Sequence, residues 1–495
     1  MTCSDKAQLP LSDWHKLTFG VFGLGKSGSA SIEALLQLGV KVIGYDARSR
    51  ADLTQLSEKY PQVEIHPENT GLDQLSMLDY AVVSPGIAPH SITRKALVAQ
   101  GVVIWSEIEL AWQLQQSLGK ETAWLTVTGT NGKTTTVGIV GEILKAAQIK
   151  HAVVGNIGKP IVTTVLEEDL EVMVVELSSF QLETTHSLSA YAAVCLNVDS
   201  DHLDWHGSTE HYRAAKAKIY ENTQVACVYD AHDKVIENMV ANAEVVEGAR
   251  AVGYTLATPT PSQIGIVEDL FVDRAFVENR QKQAEAVAQL SDIYGFASQH
   301  PSVALVKDTL AAIALTRAYG VSSAAIAQGL QNFKTAEHRR SIVGQVADMV
   351  WINDSKATNT HAALASLNGF PPQSIIWIAG GDAKGQDFHE LVAKIKASLR
   401  GVVVIGSDPT AVVSALKAEA PQIPYVVVSE EEDLMFSVVN EAVALSKPGD
   451  TVVLAPACAS WDQFENYAQR GDLFVEAISR LDRAWQKQYG EGAGK

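Results

Sequence analysis

Short apolar runs recur along the chain, each ending in a cluster of Gly, Ser, Thr, Asn or Asp. Phe19–Phe22, Lys41–Tyr45, Tyr80–Val83 and Val102–Ile104 form a first group. Ala123–Val127, His151–Val154, Glu171–Val175 and Ala192–Val198 form a second. Val350–Asn353, Ile375–Ala379, Val402–Ile405 and Val452–Leu454 form a third. Runs this short, bounded by turn residues, predict strands buried on both faces. Between them apolar residues fall at helical spacing, as at Ile32, Leu35 and Leu36, or at Val137, Val140, Ile143 and Leu144. Further helices are expected at Ile108–Gln115, Thr209–Tyr220 and Asp308–Tyr319, and strands of unassigned order at 225–228, 251–254 and 264–272. Strand and helix alternating in this way predict an α/β chain of mostly parallel sheets.

At 495 residues the chain exceeds one core and is expected to form about three domains of ~150 residues. The expected divisions are 1–120, 121–336 and 337–495, with a linker near Asn332–Glu337. The first and third read as Rossmann-like. The central one reads as a P-loop-type nucleotide domain with a mostly parallel sheet. Lysine and arginine number 39 against 57 acids, a net charge of −18 without a long basic run. That argues against a nucleic-acid partner, which needs clustered cations. Cys3, Cys195, Cys227 and Cys458 are far apart and lack zinc spacing, so reduced thiols are expected. No apolar signal core precedes Leu17 and no run of 18 apolar residues occurs, so a soluble cytoplasmic protein without a membrane partner is expected.

Candidate chemistry lies where the strands stop. Thr126–Val127–Thr128–Gly129–Thr130–Asn131–Gly132–Lys133–Thr134–Thr135 is a strand, a glycine-bearing turn and a helix start. Such a turn presents backbone N–H groups and the helix dipole to a polyphosphate. Lys133 adds a charge for the outer phosphates, and Thr134 a hydroxyl for Mg²⁺. Gly23–Leu24–Gly25–Lys26–Ser27–Gly28 is a GxGxxG turn with Asp46 about 20 positions on. It suits any ligand with a pyrophosphate beside a ribose, whether a dinucleotide or a UDP-sugar. Ser84–Pro85–Gly86 ends another strand of that group. Glu176 and His202 end strands of the second group and are oxygen and nitrogen donors suited to Mg²⁺ with phosphates.

These motifs, with Gly155–Asn156–Ile157–Gly158, Glu176–Leu182, Asn197–Asp204, Asn353–Asn359 and Leu454–Phe464, resemble the Mur ligases in order and over most of the chain. The resemblance implies ATP-dependent addition of an amino acid to a peptidoglycan precursor through an acyl phosphate. The Asp354 and Pro456 stretches and the Ser84 loop point to D-glutamate as the amino acid and UDP-N-acetylmuramoyl-L-alanine as acceptor. By the same resemblance, Gly129, Thr130, Asn131, Gly132, Lys133, Thr134, Thr135, Asp308, Arg339 and Asp354 would bind ATP. Asp308 stands where the family carries asparagine. Two Mg²⁺ ions would be held by Thr134, Glu176, His202 and an N-carboxylated Lys216. Leu24, Gly25, Lys26, Asp46, Ser84, Gly86 and Asn156 would hold the UDP substrate, and Lys356, Thr358, Lys384, Ser460 and Tyr467 the D-glutamate. Lys133, Glu176, His202 and Lys216 form the implied catalytic group. A monomer is expected, its third domain closing over the second about a hinge at Ala336–Arg340.

Overall fold

A computed structural model of the chain describes residues 10–199, 201–293, 301–334, 338–428 and 433–489. It contains three sheets. In the first, β1 (Thr18–Phe22), β2 (Lys41–Asp46), β3 (Glu64–Pro67), β4 (Tyr80–Val83) and β5 (Val103–Trp105) run parallel in the order β3-β2-β1-β4-β5. The second comprises β6 (Ala123–Thr128), β7 (His151–Gly155), β8 (Val172–Glu176), β9 (Ala192–Cys195), β10 (Ala226–Asp230), β11 (Arg250–Tyr254), β12 (Gln263–Val267), β13 (Leu270–Asp273) and β14 (Glu285–Gln289). Its order is β14-β13-β12-β11-β10-β9-β6-β8-β7, parallel except where β13 meets β12 and β14.

The third holds β15 (Ser341–Val346), β16 (Met349–Asn353), β17 (Ile375–Gly380), β18 (Leu399–Ile405), β19 (Tyr425–Val427) and β20 (Thr451–Leu454). The order is β15-β16-β20-β17-β18-β19, with only β15 antiparallel. The α/β class and mostly parallel sheets expected from the apolar runs are therefore present. These runs stay apolar because helices cover both faces: every residue of β8 and β17 is buried.

The chain forms two compact units, one reaching to Gln289 with Lys307–Leu330, the other comprising Leu290–Val306 and the residues from Gln331 onward. The first unit contains both the first and second sheets, joined by one apolar core. Trp14, Phe19, Trp105, Trp112, Trp124 and Ile161 belong to it. In the second unit, one core packs Trp377 with Leu391 and Val402, and another packs Trp351 with Val438 and Phe474.

Three local expectations are corrected. The single strand at 264–272 is a hairpin: β12 and β13 pair from Ile264↔Asp273 to Val267↔Leu270. Glu268 takes the left-handed conformation (φ +57°) that a two-residue hairpin turn favours. The helix at Thr209–Tyr220 is α-helical only to Ala217 and tightens to a 3₁₀ turn over Lys218–Tyr220. The helix expected from Asp308 begins at Val303. A hairpin not anticipated, β15–β16, turns at Ala347 and Asp348, both at positive φ. Ala336 and Glu337, in the expected linker and hinge, lie outside the described residues.

Candidate active site

β6 delivers the phosphate loop. Gly132 precedes the helix Lys133–Ala146 with φ +86°, a conformation that only glycine adopts cheaply. Asn197 fixes the loop by accepting from the Asn131 N–H (2.8 Å) and donating to the Asn131 carbonyl (3.1 Å). Lys133 curls back, its Nζ donating to the carbonyls of Gly129 (2.8 Å) and Thr130 (3.0 Å). The Thr130 hydroxyl lies 2.9 Å from that of Tyr212. Thr135 is half-buried in the first turn of the helix.

Glu176, at the end of β8, is 1% exposed. Its Oε2 accepts from the Thr134 hydroxyl at 2.7 Å and its Oε1 from Asn156 Nδ2 at 3.0 Å. A hydroxyl and a carboxylate oxygen thus share one point beside the phosphate loop. Among the described residues no three His, Cys, Asp or Glu side chains converge to hold a metal unaided. A hard cation here would draw the rest of its oxygen shell from phosphates and water, as Mg²⁺ does. The oxygen pair fits that ion.

Lys216 is 2% exposed. Its Nζ donates to the Gly129 carbonyl (2.8 Å) and lies 4.9 Å from the centre of the Tyr212 ring. Burial, and then the charge of Lys133, lower its pKa to about 7. A buried amine half neutral at neutral pH is a nucleophile, as carboxylation by CO₂ requires. His202 borders the same Tyr212 ring, centroid to centroid 6.4 Å, and stacks edge-on to Phe180 at 4.8 Å. It has φ +52° and precedes the turn Leu203–His206. The neighbouring His206 is kept neutral, burial above all lowering its pKa to about 4.

Asp308 abuts the phosphate loop directly: a Cβ on Gly132 would stand 2.3 Å from its Oδ1. Lys133, Thr134, Glu176, Asn156, Lys216 and Asp308 are therefore gathered around one loop, with His202 across the Tyr212 ring. Tyr212 and Asn197 were not singled out from sequence. Asn197 only opens the Asn197–Asp204 stretch, and Tyr212 sits on a helix that reads as solvated.

The GxGxxG turn lies at the end of β1. A Cβ on Gly28 would meet the Gly23 carbonyl at 2.0 Å, so the turn closes only around glycine. Asp46, ending β2, accepts from the Leu24 N–H and from Arg48 Nε (2.8 Å), and Arg48 Nη2 donates to the Leu24 carbonyl (2.7 Å). Burial raises the Asp46 pKa, but Arg48 and the backbone donors outweigh it and hold the carboxyl below its usual range. Ser84 and Gly86 form the turn beside it, where Ser84 N donates to the Phe22 carbonyl (2.8 Å) and Ile87 N to that of Ser84 (3.0 Å). Lys26 Nζ reaches the Gly158 carbonyl at 2.6 Å, which joins the turn to the loop carrying Asn156. Gly25 is exposed at the rim.

In the second unit the loops after β16, β17 and β20 meet. The Arg340 N–H donates to Asp354 Oδ1 (3.2 Å), next to Arg339, and burial raises the Asp354 carboxyl pKa. Lys356 Nζ sits 3.8 Å above the centre of the Tyr467 ring. Thr358 follows in a turn, its N–H donating to the Lys356 carbonyl (2.8 Å). Asp382 and Ala459 pair as a bridge, setting the Lys384 turn beside buried Ser460. Arg470, fully buried, ties these loops: its Nε donates to Ser355 Oγ (3.0 Å), and its Nη2 to the carbonyls of Ser355 (2.8 Å) and Cys458 (3.2 Å). Sequence reading passed over Arg470, because an arginine on the helix Tyr467–Tyr489 looks like a solvated one.

Comparison with known proteins agrees with this geometry. Residues 18–106 match the family described as Mur ligase MurD-like, N-terminal domain, 127–316 the Mur ligase middle domain, and 338–458 the Mur ligase, glutamate ligase domain. The UDP-N-acetylmuramoylalanine–D-glutamate ligase of Streptomyces coelicolor is 46% identical over 468 residues, covering 93% of this chain and 97% of its own. That of Streptomyces avermitilis is 46% identical over 483 residues, covering 95% and 100%. In fold, the chain is similar to the MurF ligase of Thermotoga maritima crystallised with ADP (TM-score 0.55, 17% identity, covering 94% of this chain and 95% of that one). The fold and site define an ATP-binding ligase, and the chain belongs to the Mur ligase family.

Proposed function

We infer that this ligase adds D-glutamate to UDP-N-acetylmuramoyl-L-alanine, consuming ATP, in the synthesis of the peptidoglycan precursor. The alanyl carboxylate attacks the γ-phosphorus of ATP and ADP departs. The D-glutamate amine then attacks the acyl phosphate, an amide forms, and phosphate leaves. Two anions meet in the first step, so the site must supply fixed positive charge. Lys133 and the N–H groups at the start of its helix supply part of it. The observation that carries this reading is the meeting of Thr134, Glu176 and Asn156 beside the phosphate loop.

Thr134 and Glu176 would hold one Mg²⁺, and His202 with carboxylated Lys216 a second. Bound there, the ions screen the phosphate charge and polarise the γ-phosphorus. The lowered pKa of the Lys216 amine, from burial and then Lys133, supports its modification. Asn156, on the loop that touches Lys26 and bonded to Glu176, would face the acceptor carboxylate. The first sheet would take the UDP moiety at Leu24, Gly25, Lys26, Asp46, Ser84 and Gly86. The ATP would also meet Arg339 and Asp354, and D-glutamate would meet Lys356, Thr358, Lys384, Ser460 and Tyr467. In this reading the chain works in the cytoplasm as a monomer of three domains divided near 120 and 336. Among the described residues no helix is long and apolar enough to cross a membrane.

The acyl phosphate gives a direct test. With ¹⁸O in both oxygens of the alanyl carboxylate, one ¹⁸O must appear in each phosphate released. Phosphate free of label would refute the route.

A further inference from the structure

Glu107 is a buried carboxylate that no step of the reaction uses. It opens the helix Glu107–Ser117, is 4% exposed, and lies in the seam where the first and second sheets share a core. Its Oε1 accepts from the Ile161 N–H at 3.1 Å, and the Val162 N–H and the Ser27 hydroxyl face the same carboxylate. Ile161 and Val162 begin the helix Ile161–Glu167, whose first N–H groups have no partner within the helix. Proline at 160 offers no capping side chain. Glu107 supplies the acceptor from elsewhere in the chain.

Ser27 belongs to the GxGxxG turn of the first sheet, and the next residue back, Lys26, donates to the Gly158 carbonyl at 2.6 Å. Lys26 is thus joined to one end of the segment Gly158–Val162 of the second sheet, and Ser27 faces the acid that holds the other end. The same segment begins two residues after Asn156, whose amide holds Glu176 Oε1 and whose N–H donates to the Glu176 carbonyl (2.8 Å). Glu176 in turn accepts from Thr134. Hydrogen bonds and the short backbone stretch 156–162 together connect the turn of the first sheet to the phosphate loop of the second.

The helix bearing Glu107 is itself pinned to the second sheet. Ser106 N donates to the Thr184 carbonyl (3.0 Å), and the Ser106 hydroxyl pairs with that of Thr185 (2.8 Å). Glu109 accepts from the N–H groups of His186 (2.8 Å) and Ser187 (3.0 Å). Glu107 is therefore a rigid bracket between two loops.

We propose that Glu107 is a positioning residue that, with Lys26, locks the glycine-rich turn to the Gly158–Val162 segment, so that a nucleotide-linked substrate held in the turn presents its carboxylate to the phosphate loop at a fixed distance. This rests on the function proposed above. A nucleotide anchored on one sheet and attacked phosphate on the other react only if the two loops hold register, and a shift of about 1 Å costs about 100-fold. Glutamine at 107 keeps the volume and an acceptor for the Ile161 N–H, but it removes the negative charge that faces Lys26 and turns the Ser27 hydroxyl from donor to acceptor, so the hold on the turn weakens.

The test compares wild type, Glu107→Gln, Glu107→Ala and Lys26→Met, with KM for each substrate, kcat, UDP binding by calorimetry, and melting temperature. Wild type is assayed first with D-glutamate, and its silence would refute the proposed function rather than the bracket. The expected result is a kcat for Glu107→Gln at least ~10-fold lower. In Glu107→Gln the UDP affinity and the KM values for ATP and D-glutamate should stay within twofold, and melting within a few degrees. Glu107→Gln and Lys26→Met should also combine less than multiplicatively in kcat, since both break one lock. Wild-type kcat in Glu107→Gln would overturn the proposal. So would a loss of kcat that tracks a fall in melting temperature across the three variants, which marks a merely structural acid.

Discussion

Replacing Lys216 by alanine tests the chemistry at the most deeply buried amine of the site. An ordinary lysine, with a pKa near 10.5, is neutral in about one molecule in 3,000 at pH 7. Lys216, with its pKa lowered to about 7, is neutral in about half. The nucleophilic fraction is thus raised about 10³-fold by burial and by Lys133. Below pH 7 that fraction falls tenfold per unit as the amine protonates, so carboxylation at fixed CO₂ falls with it. Lys216→Ala removes both the amine and any carbamate, and the loss in kcat is expected to reach ~100-fold or more, the scale of losing a fixed electrostatic group at a reacting phosphate. Acetate or propionate, which carry a carboxylate where the carbamate would stand, should restore part of it. The assay is phosphate release with and without added bicarbonate in CO₂-stripped buffer, beside ¹³C NMR of protein equilibrated with ¹³C-bicarbonate. A carbamate resonance present in wild type and absent from the variant is expected. Activity indifferent to CO₂ removal, with no ¹³C signal in wild type, would refute the reasoning and leave Lys216 a cation that braces the Gly129 carbonyl.

Other predictions follow from particular contacts. Gly132→Ala places a Cβ 2.3 Å from Asp308 Oδ1 at a φ of +86°; it should cost about 1–3 kcal/mol in urea unfolding and raise the KM for ATP. Asp308→Asn removes a negative charge beside the phosphate loop, so the KM for ATP should fall severalfold at low salt and the difference should shrink as salt screens it. Thr134→Ser retains the hydroxyl on Glu176 and should keep activity, whereas Thr134→Val should raise the Mg²⁺ concentration needed for half-maximal rate by at least ~10-fold. Lys356→Ala, which removes the ammonium above Tyr467, should raise the KM for D-glutamate and leave that for ATP unchanged.

The sheets were legible because burial on both faces leaves a mark: Ile375–Ala379 has no polar residue, and its strand extends one residue further to Gly380. The loops were legible for a related reason, since Gly132 and Gly28 occupy positions where a side chain would collide. The hairpin of β12 and β13 was not, because Glu268 and Asp269 carry no glycine to mark the turn. Lys216 shows the limit for single residues. On a helix with two other basic positions nearby it reads as solvent-facing, and only the fold puts it 2% exposed against the Gly129 carbonyl. Arg470 was hidden for the same reason, as its partners are a hydroxyl and backbone carbonyls that have no sequence signature. Glu107 carries no signal in the sequence, since the Ile161 N–H it satisfies lies 54 residues away.

The central claim is the identity of the amino acid joined to the precursor. It is tested most directly by phosphate release from ATP and Mg²⁺ with UDP-N-acetylmuramoyl-L-alanine, run in parallel with D-glutamate, L-glutamate, L-alanine, L-lysine or no amino acid, with the nucleotide product identified by mass. The account predicts turnover and a product heavier by one glutamyl residue with D-glutamate alone. Turnover with one of the other amino acids, or none with any, would contradict it.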